Sequence, residues 1–211
     1  MQIVLATTNR AKVQALAERV GPRVSIMPLP HQPPERHIPS DLKTGTGARA
    51  IAWLKAQWYS RHIPTQYISA TDGTLLVPAL GTEWVPAATS RFAGSQSDGA
   101  GRAEALLERA QDLIGPERLI GWTEALAIAR EGEVLANWDA HSPPGELATD
   151  MSDDFDPIAG FWVPYVWRCP EYGGRRLSEL TEHERLARRD HWAVLGEELN
   201  EWALHQPRNL T

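Results

Sequence analysis

The sequence predicts an α/β protein. Short apolar runs typical of buried strands alternate with apolar residues at helical spacing, and no repeat or linker divides the chain. A chain of 211 residues is also long enough to bury a substantial core. We therefore expect one α/β domain over residues 1–211, and the pattern is compatible with two lobes around a cleft.

Composition excludes several classes of protein. The net charge of -6, from 21 basic and 27 acidic residues, disfavours binding to a nucleic-acid polymer. No apolar run is long enough to span a membrane, and the N-terminus lacks the basic region of a signal peptide. Cys169 is the only cysteine, so no disulfide can form within the chain. We expect a cytoplasmic protein with an inert thiol.

The N-terminus predicts a strand, a loop and a helix. Ile3–Ala6 is a continuous apolar run, and a helical stripe follows at Val13, Leu16, Ala17 and Val20. The loop and first helical turn carry Thr7, Asn9 and Lys12. Backbone amides at a helix start and a lysine ammonium favour an anion such as phosphate. An asparagine cap followed by a solvated lysine gives the same pattern, so both interpretations stay open.

A proline-rich loop is predicted over Pro28–Thr46, followed by a helix from about Ala48 to Ser60 with Ile51, Leu54 and Trp58 on one face. Gln66–Ala70 then predicts a strand that ends at the turn Thr71–Thr74. This places Asp72 at the end of a strand, where a carboxylate can bind a metal or act as a base. Turn statistics favour a simple Asp-Gly turn.

The second half of the chain contains a helix, a hairpin and a capped helix. The helix is predicted from Arg102 to about Ile114, with Leu106, Leu107, Ala110 and Ile114 facing inward. Two strands, Leu119–Arg130 and Glu133–Ala140, are joined at Glu131–Gly132 as a hairpin. The last helix begins at Thr181, where Glu184 completes a capping box, and its stripe is Trp192, Leu195, Leu199 and Trp202.

Two segments between the hairpin and the last helix have open interpretations. Asp150, Asp153, Asp154 and Asp156 form an acidic stretch that is either a solvated loop or a site for a hard cation. Gly160–Trp167 is aromatic and interrupted by proline. It is more typical of a flap or a partner-binding surface than of a strand, and a weaker hypothesis is that it docks another protein.

Several short segments, taken in order, resemble the Ham1-like inosine/xanthosine triphosphate pyrophosphatases, which clear non-standard purine nucleotides. The resemblance covers nearly the whole chain. The matching segments are Ala6–Lys12 (A-T-x-N-x-x-K in the family), Thr44–Thr46 (T-G-x), Ala70–Leu75 (A-D-D-S-G-L), Ser90–Gly94 (S-A-R-Y-A-G), Phe155–Pro157 (Y-D-P), Glu171–Gly173 (E-G-Y-G) and Glu179–Thr181 (E-L-S).

The resemblance implies a two-lobed α/β fold with a mixed sheet, a homodimer and a nucleotide in the central cleft. It also implies hydrolysis of a nucleoside triphosphate to a monophosphate and pyrophosphate with Mg²⁺ or Mn²⁺. Asp72 would bind the metal or orient the attacking water, and Phe155 and Asp156 would border the base. Triphosphate contacts are implied for Thr7, Asn9 and Lys12. Arg91 is a further phosphate candidate, or forms an ion pair between the lobes.

Some positions depart from the family pattern. Ala50 and Ile51 stand where the family has a metal-binding Glu and an Asn, and Thr71 replaces the first Asp of the acidic pair. We name Glu124 as a substitute metal ligand, with Asp150, Asp153 and Asp154 as alternatives.

The base-reading segment also differs. Arg185 falls on the family's Lys, and Arg189-Asp190-His191 falls on its S-H-R, which reads the 6-oxo group of the purine. Asp190 only accepts hydrogen bonds when ionised, so a base with an exocyclic amino group would suit it.

Two hypotheses follow. The first is a divergent pyrophosphatase acting on a modified purine nucleoside or deoxynucleoside triphosphate, with Asp72 and Lys12 as its catalytic residues. The alternative is a nucleotide-binding or regulatory protein that kept the fold and lost the metal site, because Ala50 cannot ligate a metal.

Overall fold

The computed structural model describes residues 1–29, 47–85, 89, 92–94, 98–155 and 161–206. Within these ranges the strands and helices follow in the order β1 (Gln2–Leu5), α1 (Arg10–Ala17), β2 (Ser25–Pro28), α2 (Ala48–His62), β3 (Tyr67–Leu76), α3 (Gly99–Arg109), β4 (Leu119–Arg130), β5 (Glu133–His141), β6 (Gly145–Leu147), β7 (Trp167–Cys169), β8 (Arg175–Arg176), α4 (Glu182–Ala187) and α5 (His191–Leu204). The predicted loop over residues 30–46, including Thr44–Thr46, lies outside the described residues, as do Arg91 and Asp156.

The strands form a mixed sheet in the order β2-β1-β3-β4-β6-β7-β8, with β5 also pairing with β4. β1 is parallel to β2 and β3, whereas β4–β5, β4–β6, β6–β7 and β7–β8 are antiparallel. The predicted fold class is therefore confirmed. Contacts between Cα atoms divide the chain into two compact units. The single two-lobed domain stays a prediction.

The first unit comprises residues 1–73, 123–141 and 190–211, as far as they are described. Because side chains alternate along a strand, its sheet has two apolar faces. Ile3 and Leu5 of β1 pack with residues of α1 and α5, and Val4 of β1 packs with residues of α2. The unit is thus a sheet covered by helices on both faces.

The second unit, residues 74–122 and 142–189, has a core rich in tryptophan. Trp162, Val163, Val166 and Trp167 are all at least 97% buried in it. The prediction that Gly160–Trp167 is a flap or partner surface is therefore wrong for residues 161–167. Large apolar side chains separated by a short 3-10 helix fill this core, although the segment lacks regular strand periodicity.

The predicted turn at Thr71–Thr74 is also wrong. β3 continues through these residues to Leu76, and Gly73 does not have a positive φ. Thr71 and Thr74 are buried and β-branched, which suits them to a covered strand. Asp72 consequently projects from within a strand rather than from a turn.

The predicted helices occur at the predicted places in the chain, but their ends and their buried faces differ from the prediction. α2 buries Ile51, Ala52, Ala56 and Tyr59, while Leu54 and Trp58 are only half-buried. α3 ends at Arg109, so Ile114 lies beyond it and is exposed.

The last predicted helix is two helices. Thr181 and Glu184 form the predicted capping box on α4, and Asp190 begins a second helix by accepting a hydrogen bond from the Ala193 amide. In α5, Trp192, Leu195 and Leu199 are buried as predicted, and Trp202 is half-buried. None of the described helices is both long and apolar enough to cross a membrane.

The predicted hairpin is confirmed. β4 and β5 pair in antiparallel register around Glu131 and Gly132, whose φ angles are 55° and 84°. A two-residue turn with both central residues at positive φ matches the twist of the paired strands. Gly132 adopts this conformation without the steric cost that a side chain brings.

We expect Gly132→Ala to lower the free energy of unfolding by about 1–2 kcal/mol, because alanine is strained at this φ. Glu131→Gly is the matched control, since it relieves a non-glycine residue at positive φ and should not destabilise the protein. Urea unfolding of both variants measures the difference. Equal destabilisation by the two variants would contradict this account of the turn.

Cys169 is fully buried in the second unit. Burial raises the pKa of its thiol to about 11, and Glu171 adds to the rise. Because the thiolate is the reactive form, a raised pKa leaves little of it at neutral pH. We expect the native protein to resist a thiol-specific reagent at pH 8 and the urea-unfolded protein to react fully. Rapid labelling of the native protein would show that Cys169 is accessible.

Candidate functional site

The loop between β1 and α1 is held by its own polar side chains. Thr7 Oγ1 accepts a hydrogen bond from the Asn9 amide at 3.1 Å. Asn9 caps α1, and its Oδ1 accepts from the amides of Ala11 at 2.9 Å and Lys12 at 3.4 Å. The helix-cap interpretation of Asn9 is therefore confirmed. The cap fixes the start of α1, and with it the point from which Lys12 extends.

Lys12 is not a solvated lysine. Its Nζ lies 2.6 Å from Glu124 Oε1 of β4 and 3.5 Å from Thr71 Oγ1 of β3. The Lys12 side chain is 20% exposed and that of Glu124 is 1% exposed. Lys12 thus joins a buried carboxylate to the strand that carries Asp72.

A second lysine reaches the same strand from α2. Lys55 Nζ lies 2.7 Å from Asp72 Oδ1 and 3.3 Å from the carbonyl oxygen of Thr71. Both side chains are about four-fifths buried. Like the Lys12 pair, this pair is partly shielded from water, which strengthens it relative to a surface ion pair.

Sequence reasoning missed Lys55. Its neighbours Ala48, Ala52 and Tyr59 are buried, so a lysine occurs within the apolar stripe of α2. A cation on the covered side of a helix needs a partner there, and this is the signal that identifies Lys55.

Alternation along β3 explains why the two lysines come from different helices. Ala70 packs in the apolar cluster that includes α2, and Asp72, two residues further, meets Lys55 of α2. Thr71 projects to the other face and meets Lys12 of α1. Lys12 and Asp72, the two predicted catalytic residues, thus meet at consecutive positions of β3 but on opposite faces of the strand, and each has a partner of opposite charge.

We call Lys12, Glu124, Lys55 and Asp72 the charge cluster. Two ammonium groups and two carboxylates sum to zero net charge when all four are ionised. Thr71 lies between the pairs because its hydroxyl contacts Lys12 and its carbonyl contacts Lys55. A dissolved anion that approached would compete with carboxylates for both ammonium groups.

The described residues supply few ligands for a divalent metal. No group of three His, Cys, Asp or Glu side chains suited to a metal occurs in the described part of the chain. Mg²⁺, however, commonly uses one or two protein carboxylates together with substrate phosphates and water. Asp72, with a partly exposed carboxylate, fits that role. Glu124, the other predicted metal ligand, is buried against Lys12, and its role as a ligand stays a prediction.

The residues predicted for base binding have separate structural settings. Phe155 and Arg185 lie in the second unit. The ring centroids of Phe155 and Tyr165 are 4.8 Å apart, and Arg185 is exposed on α4. Asp190 and His191 lie in the first unit. Asp190 caps α5 and lies 3.6 Å from Arg19, and His191 is largely buried. Contact of these four residues with a base stays a prediction.

We expect Lys12→Met to lower the free energy of unfolding by about 3–5 kcal/mol, because it leaves the buried Glu124 carboxylate without its ammonium. The double variant Lys12→Met/Glu124→Leu removes both charges and should recover most of that loss. Urea unfolding of the two variants measures the coupling. A double variant as unstable as the single one would show that the pair itself is not the cause.

Comparison with known proteins gives one relative by sequence. A dITP/XTP pyrophosphatase from Oceanobacillus iheyensis is 31% identical over 166 residues, which cover 74% of this chain and 80% of that protein. No family model matches the chain.

Solved structures share the fold. A HAM1 protein from Coxiella burnetii has a TM-score of 0.75 at 22% identity, covering 98% of this chain and 100% of the other. The Staphylococcus aureus Ham1 protein has a TM-score of 0.70 at 19% identity, covering 96% of this chain and 100% of the other. A nucleoside-triphosphatase / dITP/XTP pyrophosphatase from Mycobacterium abscessus has a TM-score of 0.66 at 25% identity, covering 96% and 98%. The motif resemblance is thereby confirmed: this chain belongs to the Ham1-like inosine/xanthosine triphosphate pyrophosphatase family.

Proposed function

We propose that the protein hydrolyses a purine nucleoside or deoxynucleoside triphosphate to the monophosphate and pyrophosphate. The observation that carries the proposal is the approach of two ammonium groups, from Lys12 and Lys55, to Thr71, with Asp72 beside them. The names of the Oceanobacillus and Mycobacterium relatives support the same reaction.

The lysines bind the polyphosphate chain in this proposal. A triphosphate carries several negative charges, so its oxygens can take over the ammonium contacts that carboxylates hold in the charge cluster. Thr7 and Asn9 keep the loop before α1 in place, where the helix start favours negative charge. Arg91 is proposed as a further phosphate contact.

Asp72 becomes available when the phosphates draw Lys55 away. Its carboxylate would then hold Mg²⁺ or Mn²⁺, or orient the attacking water and accept its proton. When bound, the metal neutralises charge on the phosphate oxygens. Water attacks the α-phosphorus, the bond between this phosphorus and the oxygen that bridges to the β-phosphate breaks, and pyrophosphate leaves.

Base recognition is proposed from the family resemblance together with one substitution. Phe155 would stack on the base, and Asp156, Arg185 and His191 would border it. Asp190 would accept a hydrogen bond from an exocyclic amino group, because a carboxylate accepts several hydrogen bonds and can keep its contact to the Ala193 amide. A modified purine with such a group is the proposed substrate. A homodimer and a cytoplasmic location remain predictions.

One observation favours the alternative of a nucleotide-binding protein without catalysis. Asp72 and Glu124, the carboxylates of the charge cluster, are both neutralised by lysine, and Ala50 of α2 offers no ligand. Such a protein would bind nucleotides equally well with and without Mg²⁺ and would release no pyrophosphate.

Pyrophosphate release separates the two functions. We expect the pure protein to release pyrophosphate from at least one member of a panel of deaminated and amino-substituted purine triphosphates in Mg²⁺ or Mn²⁺, and to stop in EDTA. Asp72→Asn should lower kcat by about a hundredfold or more, since it removes the proposed base or metal ligand.

Asp139→Asn is the matched control, because Asp139 of β5 also forms an ion pair with a cation of α2, Arg49, but both side chains are more exposed than those of Asp72 and Lys55. It should retain wild-type activity. Nucleotide binding by calorimetry without release from any triphosphate would overturn the catalytic proposal in favour of the alternative.

A further inference from the structure

Glu124 occupies a position where a carboxylate is costly. Its side chain is 1% exposed, and Leu126 and Ile128, which follow on the same face of β4, pack in the apolar cluster with α1 and α5. A carboxylate in such surroundings loses its hydration and needs a cation. Lys12 supplies that cation at 2.6 Å.

Stability alone does not account for this pair. Replacing a buried ion pair by apolar side chains of similar volume is often neutral or stabilising. The two partners are also unequally buried, because Lys12 is 20% exposed. Lys12 is therefore the more exposed member of the pair and the side from which a dissolved anion would approach, while Glu124 holds the ammonium from the interior side.

We propose that Glu124 is a positioning residue that competes with phosphate groups for Lys12 and thereby weakens the retention of pyrophosphate. The inference rests on the proposed function, since it takes pyrophosphate as the product.

Charge arithmetic supports the direction of the effect. With Glu124 ionised, the charge cluster sums to zero and attracts a polyphosphate weakly. Without that one negative charge the cluster is +1, and the Lys12 ammonium has no anionic competitor at 2.6 Å. Pyrophosphate then binds more tightly and leaves more slowly.

The test uses inorganic pyrophosphate and isothermal titration calorimetry at low salt, with EDTA and again with Mg²⁺. Glu124→Gln keeps the shape of the side chain and removes its charge. We expect it to bind pyrophosphate about tenfold more tightly than the wild-type protein, with a gain that shrinks as salt is added. Thermal unfolding checks that each variant is folded.

A second variant shows whether the gain acts through Lys12. Glu124→Gln/Lys12→Gln carries neither charge, so no buried charge is left alone, and it should bind pyrophosphate no more tightly than the wild-type protein. Asp139→Asn, which removes a carboxylate from an exposed ion pair of the same unit, should change binding by less than about twofold. A merely structural role of Glu124 would move the melting temperature without this Lys12-dependent gain.

Three results overturn the inference: unchanged or weaker binding by Glu124→Gln, a gain that persists in the double variant, or no detectable binding of pyrophosphate by either the wild-type protein or Glu124→Gln. Wild-type turnover of triphosphates, measured separately, distinguishes the two proposals. Turnover without the affinity gain would remove the role of Glu124 and leave the pyrophosphatase function standing. The affinity gain without any turnover would support the competition for Lys12 and remove the catalytic function.

Discussion

The ion pair between Lys12 and Glu124 sets the geometry of the candidate site. A carboxylate that is almost wholly buried in β4 needs a cation, and the cation comes from the first helix of the chain. The Lys12 side chain therefore extends from α1 to Glu124 and also contacts Thr71 of β3, the residue that precedes Asp72 in the chain. The capped start of α1 fixes where the lysine begins, and Glu124 fixes where it ends. The position of one ammonium thus depends on three separate segments of the first unit.

The ion pair between Asp72 and Lys55 lies on the other side of the sheet, and there too a largely buried carboxylate is paired with a lysine. Asp72 projects toward α2, and Lys55 reaches it from the covered stripe of that helix. Consecutive residues of a strand face opposite ways, so a single strand presents a hydroxyl to one lysine and a carboxylate to the other. The result is two ion pairs that meet the same strand from opposite faces, so an anion that took over either ammonium would have to displace a carboxylate.

Membership of the Ham1-like family agrees with this arrangement, although the carboxylates differ from the family pattern. Thr71 and Ala50 stand where the motif resemblance places acids, while Glu124 of β4 supplies a buried carboxylate that pairs with Lys12. The first-loop residues proposed to contact phosphate, Thr7, Asn9 and Lys12, in contrast, are of the types that the family resemblance implies.

The sequence by itself determined the features that depend on neighbouring residues: the strand and helix at the N-terminus, the Asn9 cap, the capping box at Thr181 and the hairpin at Glu131–Gly132. Backbone sterics and local hydrogen bonds decide these within a few positions of the chain. Only the tertiary structure decided that β3 runs through Asp72, that Trp162 and Trp167 fill a core, and that Glu124 meets Lys12. The partners of these residues are distant in the chain, 112 positions apart for Lys12 and Glu124, and no local pattern encodes which cation a buried carboxylate will find.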